Sequence, residues 1–177
     1  ETGKECVKVL AEQGKKVASV SRNGFDFRDL DSSYVNNVKD IKADIKIDDI
    51  SEIIKGSSSI IFMANAKKRF KFVKSDVEEF QNYEDIDVYG LRHVIEKCKK
   101  NNVKKMVYVS ASCRSCTDDP SSQYDKLCGI ECEHCQTKKI GESILKRSGL
   151  DYTIIRTGFL IQGPSRNISD IELTQSY

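Results

Sequence analysis

The stretch Ile140-Gly-Glu-Ser-Ile-Leu-Lys-Arg-Ser-Gly149-Leu-Asp-Tyr-Thr-Ile-Ile155 places a helix, a turn and a strand in direct succession. Ile140, Ile144 and Leu145 are spaced so that they form one apolar face of a helix. Gly149 supplies the left-handed conformation in which many helices end. The β-branched run that closes at Ile155 is typical of a buried strand. This stretch therefore predicts a helix that turns back into a strand.

The same unit of apolar helix, glycine and β-branched strand occurs twice more. The two copies are Cys6, Val7, Leu10 and Ala11 with Gly14 and Val17–Val20, and Ile50, Ile53 and Ile54 with Gly56 and Ile60–Phe62. A longer helix from Val77 to Lys100 leads into another strand, Met106–Val109. Helices that alternate with such strands predict an α/β fold with a doubly wound parallel sheet of the Rossmann type. We expect Val17–Val20 and Met106–Val109 to lie in one sheet.

Length and composition favour a single domain. The chain has 177 residues, close to the usual size of one hydrophobic core. Its net charge is only +2, so no whole-chain field indicates nucleic acid or an anionic membrane as a partner. No apolar run approaches the ~20 residues that a membrane-spanning helix needs. Seven cysteines favour a reducing, intracellular compartment.

Five segments in order resemble the atypical short-chain dehydrogenase/reductases, in the NmrA-like branch that includes chloroplast translocon-associated and photosystem-assembly members. The segments are Glu1-Thr-Gly3, Val17–Arg22, Ala43-Asp44-Ile45, the pair Asp87-x2-Gly90 with Val103–Ala111, and Gly149–Gly158. The resemblance implies an NAD(P)-binding Rossmann domain over residues 1–177. It also implies that Gly3 is the last glycine of the nucleotide-binding loop, so we expect a further strand upstream of Glu1. The same branch suggests a plastid or mitochondrial protein complex as the setting, with other protein subunits as partners.

The resemblance places several residues at the cofactor. Ser21 and Arg22 follow the second strand of the family pattern, where a basic residue prefers the 2′-phosphate of NADP over the free ribose of NAD. Arg22 on its own is equally consistent with an exposed arginine at a strand end. The remaining cofactor residues are Gly3 at the loop, Asp44 beside adenine, Ala64, Asn65 and Ala66 on the nicotinamide side, and Lys138 at the nicotinamide ribose.

The family's proton donor is missing from this sequence. The family couples a tyrosine to a lysine four residues later, because the lysine lowers the pKa of the tyrosine. Lys138 with Glu142 fits the family's Lys-x3-Glu, but His134 stands where the tyrosine is expected. Tyr124 is followed four residues later by Cys128, so it is no substitute. We therefore assign no catalytic residue from the sequence, and an exposed lysine in the first turn of a helix is an equally good interpretation of Lys138.

A cysteine-rich segment, residues 113–135, follows the strand that ends near Val109. Its cysteines are Cys113, Cys116, Cys128, Cys132 and Cys135. Two Cys-x2-Cys pairs can each grip one metal ion from a tight turn, which favours zinc held by four thiolates, with His134 as a substitute ligand and Cys128 as the spare one. An iron–sulfur cluster is the second choice, and a redox-switching disulfide or unconnected thiols are the alternatives without a metal. Cys6 and Cys98 are expected to be small core residues.

Three classes of function remain open. The first, which we favour, is an NADP-binding scaffold or assembly subunit with a structural metal. The second is an NADPH-dependent reductase that uses another proton donor, such as His134 or a metal-bound water. The third is a sensor of thiol state or nucleotide occupancy. The basic run at residues 66–74 is expected to be a solvated lip or a contact for a protein partner rather than a nucleic-acid site, because the chain has no second basic cluster.

Overall fold

The structure is a computed structural model that describes residues 2–65, 83–111 and 125–157, with the backbone alone for residues 125–133. Its helices are α1 (Thr2–Glu12), α2 (Ser51–Ile54), α3 (Leu91–Lys100) and α4 (Asp125–Lys146), and its strands are β1 (Val17–Ser21), β2 (Val38–Lys42), β3 (Ile60–Phe62), β4 (Lys105–Ala111) and β5 (Asp151–Thr157). Two short 3₁₀ turns, Phe27–Asp29 and Ser32–Asn37, connect β1 to β2. A π-helical segment, Asp85–Gly90, leads directly into α3.

The glycine that follows the helix in each predicted unit has the expected left-handed backbone conformation. Gly14, Gly56 and Gly149 have φ values of 75°, 79° and 79°, a conformation that an L-amino acid with a side chain adopts at a cost. Each of these glycines follows a helix and precedes a strand. The recurring pattern in the sequence is therefore a recurring structural unit.

The strands form parallel sheets, as predicted, but they form two of them. β1 pairs with β2, and β3, β4 and β5 pair in that order. The expectation that Val17–Val20 and Met106–Val109 share one sheet is therefore wrong for the described residues. The reason is that β1 and β3 each pair along one edge only, and no described strand joins those edges.

The larger core lies between the three-stranded sheet and the helices α2, α3 and α4. It contains the apolar face predicted for the longer helix, where Leu91 and Cys98 are fully buried, together with Met106 and Tyr108 of β4 and Leu145 of α4. A smaller core packs α1 against the loop after β1 and consists of Ala11, Leu30 and Val38, with Val7, Phe25, Phe27 and Tyr34 against them. The described part of the longer helix differs from the expectation, because Asp85–Gly90 is π-helical rather than α-helical.

The helix after β4 also begins earlier than the sequence indicated. α4 runs continuously from Asp125, so Cys128, Cys132 and Cys135 lie on a helix and not in turns of an insertion. Lys138 consequently lies more than three turns into α4 rather than in its first turn. Cys113, Cys116, Ala66 and the basic run 66–74 lie outside the described residues. Among the residues that the structure does describe, no helix is both long and apolar enough to cross a membrane.

Candidate functional site

A buried ion pair joins the π-helical segment to α4. The Nζ atom of Lys138 lies 2.9 Å from Oδ1 of Asp87, and the side chain of Asp87 is fully buried. The same ammonium lies 3.4 Å from the carbonyl oxygen of Val109, two residues before the end of β4. Lys138 thus reaches the carboxyl edge of the sheet from the middle of α4. An ammonium has three N–H donors, so one remains for a further acceptor beside these two.

His134 faces the same carboxylate. Its Nδ1 atom is 3.7 Å from Oδ2 of Asp87, and its ring packs on the ring of Tyr83 with 5.0 Å between centroids. The hydroxyl of Thr137 lies 2.9 Å from the His134 carbonyl oxygen and 3.3 Å from Oδ2 of Asp87, and it has one proton to donate between them. Because residues 134, 137 and 138 occupy one face of α4, the helix presents an imidazole, a hydroxyl and an ammonium to a single buried carboxylate.

A second buried network fixes α4 against β4 and β5. Glu142 accepts hydrogen bonds from the Ser110 hydroxyl at 2.7 Å and from Arg156, whose Nε and terminal nitrogen lie 2.9 and 2.6 Å from its two oxygens. Burial alone would raise the pKa of Glu142, but the hydrogen bonds from Arg156 and Ser110 outweigh it, so this pKa lies below its ordinary value. The Lys-x3-Glu pattern therefore places its two charged residues in two separate networks one helical turn apart.

Tyr108 fills the space between these networks. Its ring lies under the Lys138 ammonium, 5.2 Å from Nζ to the ring centroid, which is the geometry of a cation–π contact. Burial, together with the negative charges of Asp87 and Glu142, raises the pKa of the Tyr108 hydroxyl. Within the described residues this hydroxyl has no hydrogen-bond partner.

The residues predicted for the adenosine side lie at the ends of β1 and β2. Ser21 is the last residue of β1, and its carbonyl oxygen accepts a hydrogen bond from the amide of Ala43 at 3.1 Å. Arg22 follows it with an exposed side chain, for which the described residues provide no ion pair. Asp44 follows β2 in a tight turn, where its Oδ1 accepts the Lys46 amide at 3.0 Å. Ser21, Arg22 and Asp44 therefore lie at or just beyond the carboxyl ends of two paired parallel strands.

Of the remaining cofactor residues, the structure describes Ala64, Asn65, Gly3 and Lys138, whereas Ala66 lies outside the described residues. Ala64 follows β3 and packs against Tyr83 and Ile86, so it lies beside the segment that carries Asp87. Asn65 is exposed, and Gly3 lies in the first turn of α1, where a Cβ atom would meet no neighbour within 4 Å. The structure therefore brings Ala64 and Lys138 to one edge of the larger sheet, whereas Gly3, Ser21 and Arg22 belong to the smaller sheet and its helix.

The cysteines give no metal centre in the part of the chain that is described. Those residues contain no group of three or more histidine, cysteine, aspartate or glutamate side chains that could hold a metal ion. Cys135 is disulfide-bonded, which agrees with the disulfide alternative. Cys98 is fully buried as predicted, and burial raises the pKa of its thiol to about 11, whereas Cys6 is only partly buried.

Asp87, the acidic centre of the site, is not among the site residues that the sequence predicts. It belongs to the Asp87-x2-Gly90 motif, but that motif does not predict its pairing with Lys138. The available signal was a carboxylate between Ile86 and Val88 on a segment that continues into an apolar helix face, since such a residue is buried only when it has a partner. The roles of Ser110 and Arg156 depend on which strand neighbours which, and the sequence alone does not reveal that.

Comparison with known proteins shows the family of the chain. A model of the NAD(P)H-binding family matches residues 1–176, so the chain belongs to that family. No curated protein matches the chain. Membership in the family accounts for the parallel sheet and for polar residues gathered at its carboxyl edge.

This chain shares its fold with solved structures from several organisms. A Bacillus halodurans protein named as an NAD-dependent epimerase/dehydratase has a TM-score of 0.64 at 19% identity, over 93% of this chain and 69% of its own. A short-chain dehydrogenase/reductase from Veillonella parvula has a TM-score of 0.60 at 12% identity, over 91% and 66%. The enzyme WbmH from Bordetella bronchiseptica, solved with NAD⁺, has a TM-score of 0.54 at 17% identity, over 88% and 51%. This chain thus spans between about half and two thirds of the length of these proteins.

Proposed function

We propose that this chain is the NADP(H)-binding part of a reductase in which Lys138 binds the nicotinamide ribose and His134 replaces the usual tyrosine. The observation that carries the proposal is the buried Asp87–Lys138 pair beside His134 at the carboxyl edge of the sheet. A lysine with one N–H left to donate can bind a ribose hydroxyl while Asp87 balances its charge. The small side chain of Ala64 at the same edge lets a ribose approach.

NADPH would supply a hydride to a carbonyl or related acceptor. The chain's own contribution is to position the nucleotide and to deliver a proton to the oxygen of the acceptor. His134 can hold that proton, because an imidazole exchanges protons near neutral pH. Asp87, 3.7 Å from its Nδ1, stabilises the imidazole when it is protonated. The ring of Tyr83, whose centroid is 5.0 Å from that of His134, limits the orientation of the imidazole.

We propose NADP rather than NAD because Arg22 is exposed at the end of β1. A guanidinium that faces a phosphate contributes about 1.5–3 kcal/mol, or roughly ten- to a hundredfold in affinity. Arg22→Asp should weaken NADPH binding by that factor and leave NADH binding little changed, as followed by the fluorescence of the reduced nucleotide. Arg92→Asp is the matched control, because Arg92 is exposed on α3 and is not among the residues proposed to contact the nucleotide.

The test of turnover uses histidine variants and a panel of aldehydes, ketones and quinones. His134→Gln should abolish NADPH-dependent reduction without weakening nucleotide binding. His134→Tyr restores the family's Tyr-x3-Lys and should retain or raise the rate. His93→Gln, which changes the other histidine of the chain, is the control. A rate that is unaffected by His134→Gln would contradict its role in proton transfer.

The second candidate is the scaffold or assembly subunit favoured by the sequence, a protein that binds NADP without turnover inside an organellar complex. Its support is the same replacement of the usual tyrosine by His134. The two candidates differ in one result. A protein that binds NADPH tightly, reduces nothing in the panel and gains no activity on His134→Tyr is a scaffold.

The structural metal site also remains a proposal, supported by the cysteine spacing. The helix α4 supports this proposal, because residues 128, 132 and 135 are four and then three residues apart and so occupy one helical face. Thiolates from one helical face can bind a single zinc ion, once the disulfide of Cys135 is reduced. Elemental analysis of anaerobically purified protein should find one zinc or iron centre per chain, and alkylation should find its thiols protected. Freely alkylated thiols without metal would contradict this site, and an oxidised pair that involves Cys135 would favour the disulfide.

A further inference from the structure

Gly141 lies at a close contact of α4 with Tyr108 of β4 and with Asp87 of the π-helical segment. A Cβ atom at this position would lie 2.5 Å from the hydroxyl oxygen of Tyr108, 3.0 Å from the carbonyl oxygen of Asp87 and 3.1 Å from Cζ of Tyr108. Real side-chain carbons do not approach an oxygen as closely as the first of these distances. The glycine therefore lets α4 approach both β4 and the π-helical segment.

This contact bears directly on Lys138. Residues 138 and 141 are one helical turn apart on the same face of α4. The neighbours of Gly141 are Asp87, which is the ion-pair partner of Lys138, and Tyr108, whose ring lies under its ammonium. Because a helix moves as a rigid body over one turn, a displacement at residue 141 also lengthens the 2.9 Å contact between Lys138 and Asp87.

We propose that Gly141 and Tyr108 are positioning residues that set the distance of α4 from Asp87 and so hold Lys138 in the ion pair. The consequence for binding of the nicotinamide ribose by Lys138 rests on the proposed function. The positioning itself does not, because it concerns contacts within this chain. The hydroxyl of Tyr108 has no hydrogen-bond partner in the described structure, so its role here is steric.

The test measures how accessible Lys138 is to acetylation, with its neighbour Lys139 as the internal reference. Lys138 is buried and Lys139 is exposed, so mild acetylation followed by peptide mass spectrometry gives the ratio of the two rates within one peptide. The unmodified protein should show Lys138 strongly protected. Gly141→Ala should raise its acetylation relative to Lys139 by roughly tenfold, because overpacking loosens the contact.

The matched variants separate positioning from general loss of stability. Tyr108→Phe removes the oxygen at 2.5 Å, so the double variant with Gly141→Ala should recover most of the protection of Lys138. Leu145→Ala creates a cavity on the same helix at a fully buried position and should leave Lys138 protected in molecules that remain folded. If Gly141→Ala does not fold, the double variant still should.

Protection of Lys138 that is unchanged in folded Gly141→Ala, or a double variant that recovers nothing, would overturn the inference. The affinity for NADPH is measured in a separate experiment. NADPH affinity should fall in Gly141→Ala and return in the double variant. If the unmodified protein binds no NADPH, the proposed function fails, and the acetylation ratios still decide whether Gly141 positions Lys138.

Discussion

At the residue scale, the molecule uses buried charges that are individually satisfied. Asp87 is matched by Lys138, and Glu142 is matched by Arg156 and the hydroxyl of Ser110. Buried ion pairs add little net stability, but loss of one partner is costly because the other remains charged and unpaired. These residues therefore fix geometry more than they stabilise the fold. The cost of substituting one of them should depend on whether its partner stays charged.

We expect Glu142→Gln to lower the free energy of unfolding by about 1–3 kcal/mol at neutral pH, because hydrogen bonds to the carboxylate are lost. The pKa of Glu142 is below its ordinary value in the folded protein. Its stabilisation is therefore present above the unfolded pKa, about 4.3, and is lost as pH falls through the folded pKa. Urea unfolding between pH 7 and pH 3 should show the difference between variant and unmodified protein shrinking at the acidic end.

Glu52→Gln provides the control for that series. Glu52 is exposed, and its contact with Lys55 is at the 4.0 Å limit of an ion pair, so the substitution should change stability by less than about 0.5 kcal/mol throughout. A deficit of Glu142→Gln that stayed constant from pH 7 to pH 3 would show that the carboxylate charge is not what holds the network together.

At the scale of elements, α3 and α4 anchor the three-stranded sheet. Leu91 begins α3 and is fully buried in the larger core, where it lies among residues from α2, β3 and β4. Leu145 closes the same core from α4. The π-helical segment before α3 places Asp87 opposite α4, and such segments are frequent at functional sites.

Leu91→Ala should lower the free energy of unfolding by about 2–5 kcal/mol, the usual cost of a large-to-small change in a well-packed core. Denaturant unfolding measures this effect. Val9→Ala is the control, because Val9 on α1 is 48% exposed and its truncation should cost less than about 0.5 kcal/mol. A similar small cost at Leu91 would mean that α3 does not anchor the larger core.

The sequence predicted elements better than contacts between them. Helices that end at Gly14, Gly56 and Gly149 were predictable because backbone preference and apolar spacing are local properties. The pairing of Lys138 with Asp87 joins residues 51 positions apart. The apolar neighbours of Asp87 indicate that it needs a partner, but they do not indicate which residue that partner is. The start of α4 at Asp125 was missed because the cysteine spacing suggested metal-binding turns, although those residues are also compatible with a helix.

At the scale of the whole molecule, two parallel sheets carry two groups of candidate nucleotide residues. The smaller sheet and α1 carry Gly3, Ser21 and Arg22, and the larger sheet with α4 carries Ala64 and Lys138. Contacts after β2 connect the two parts, since Ile45 packs against the larger core and Lys46 forms an ion pair with Asp85 at 3.2 Å. A dinucleotide that bridges these groups would engage both sheets.

The most direct test of this account is a titration of the unmodified protein with NADPH and, separately, with NADH. Nucleotide fluorescence and calorimetry both report the affinity. One NADPH should bind saturably to each chain, roughly ten- to a hundredfold tighter than NADH, because Arg22 can face the 2′-phosphate. Equal affinity for the two nucleotides would contradict the assignment of NADP, and no binding of either would contradict the proposed function itself.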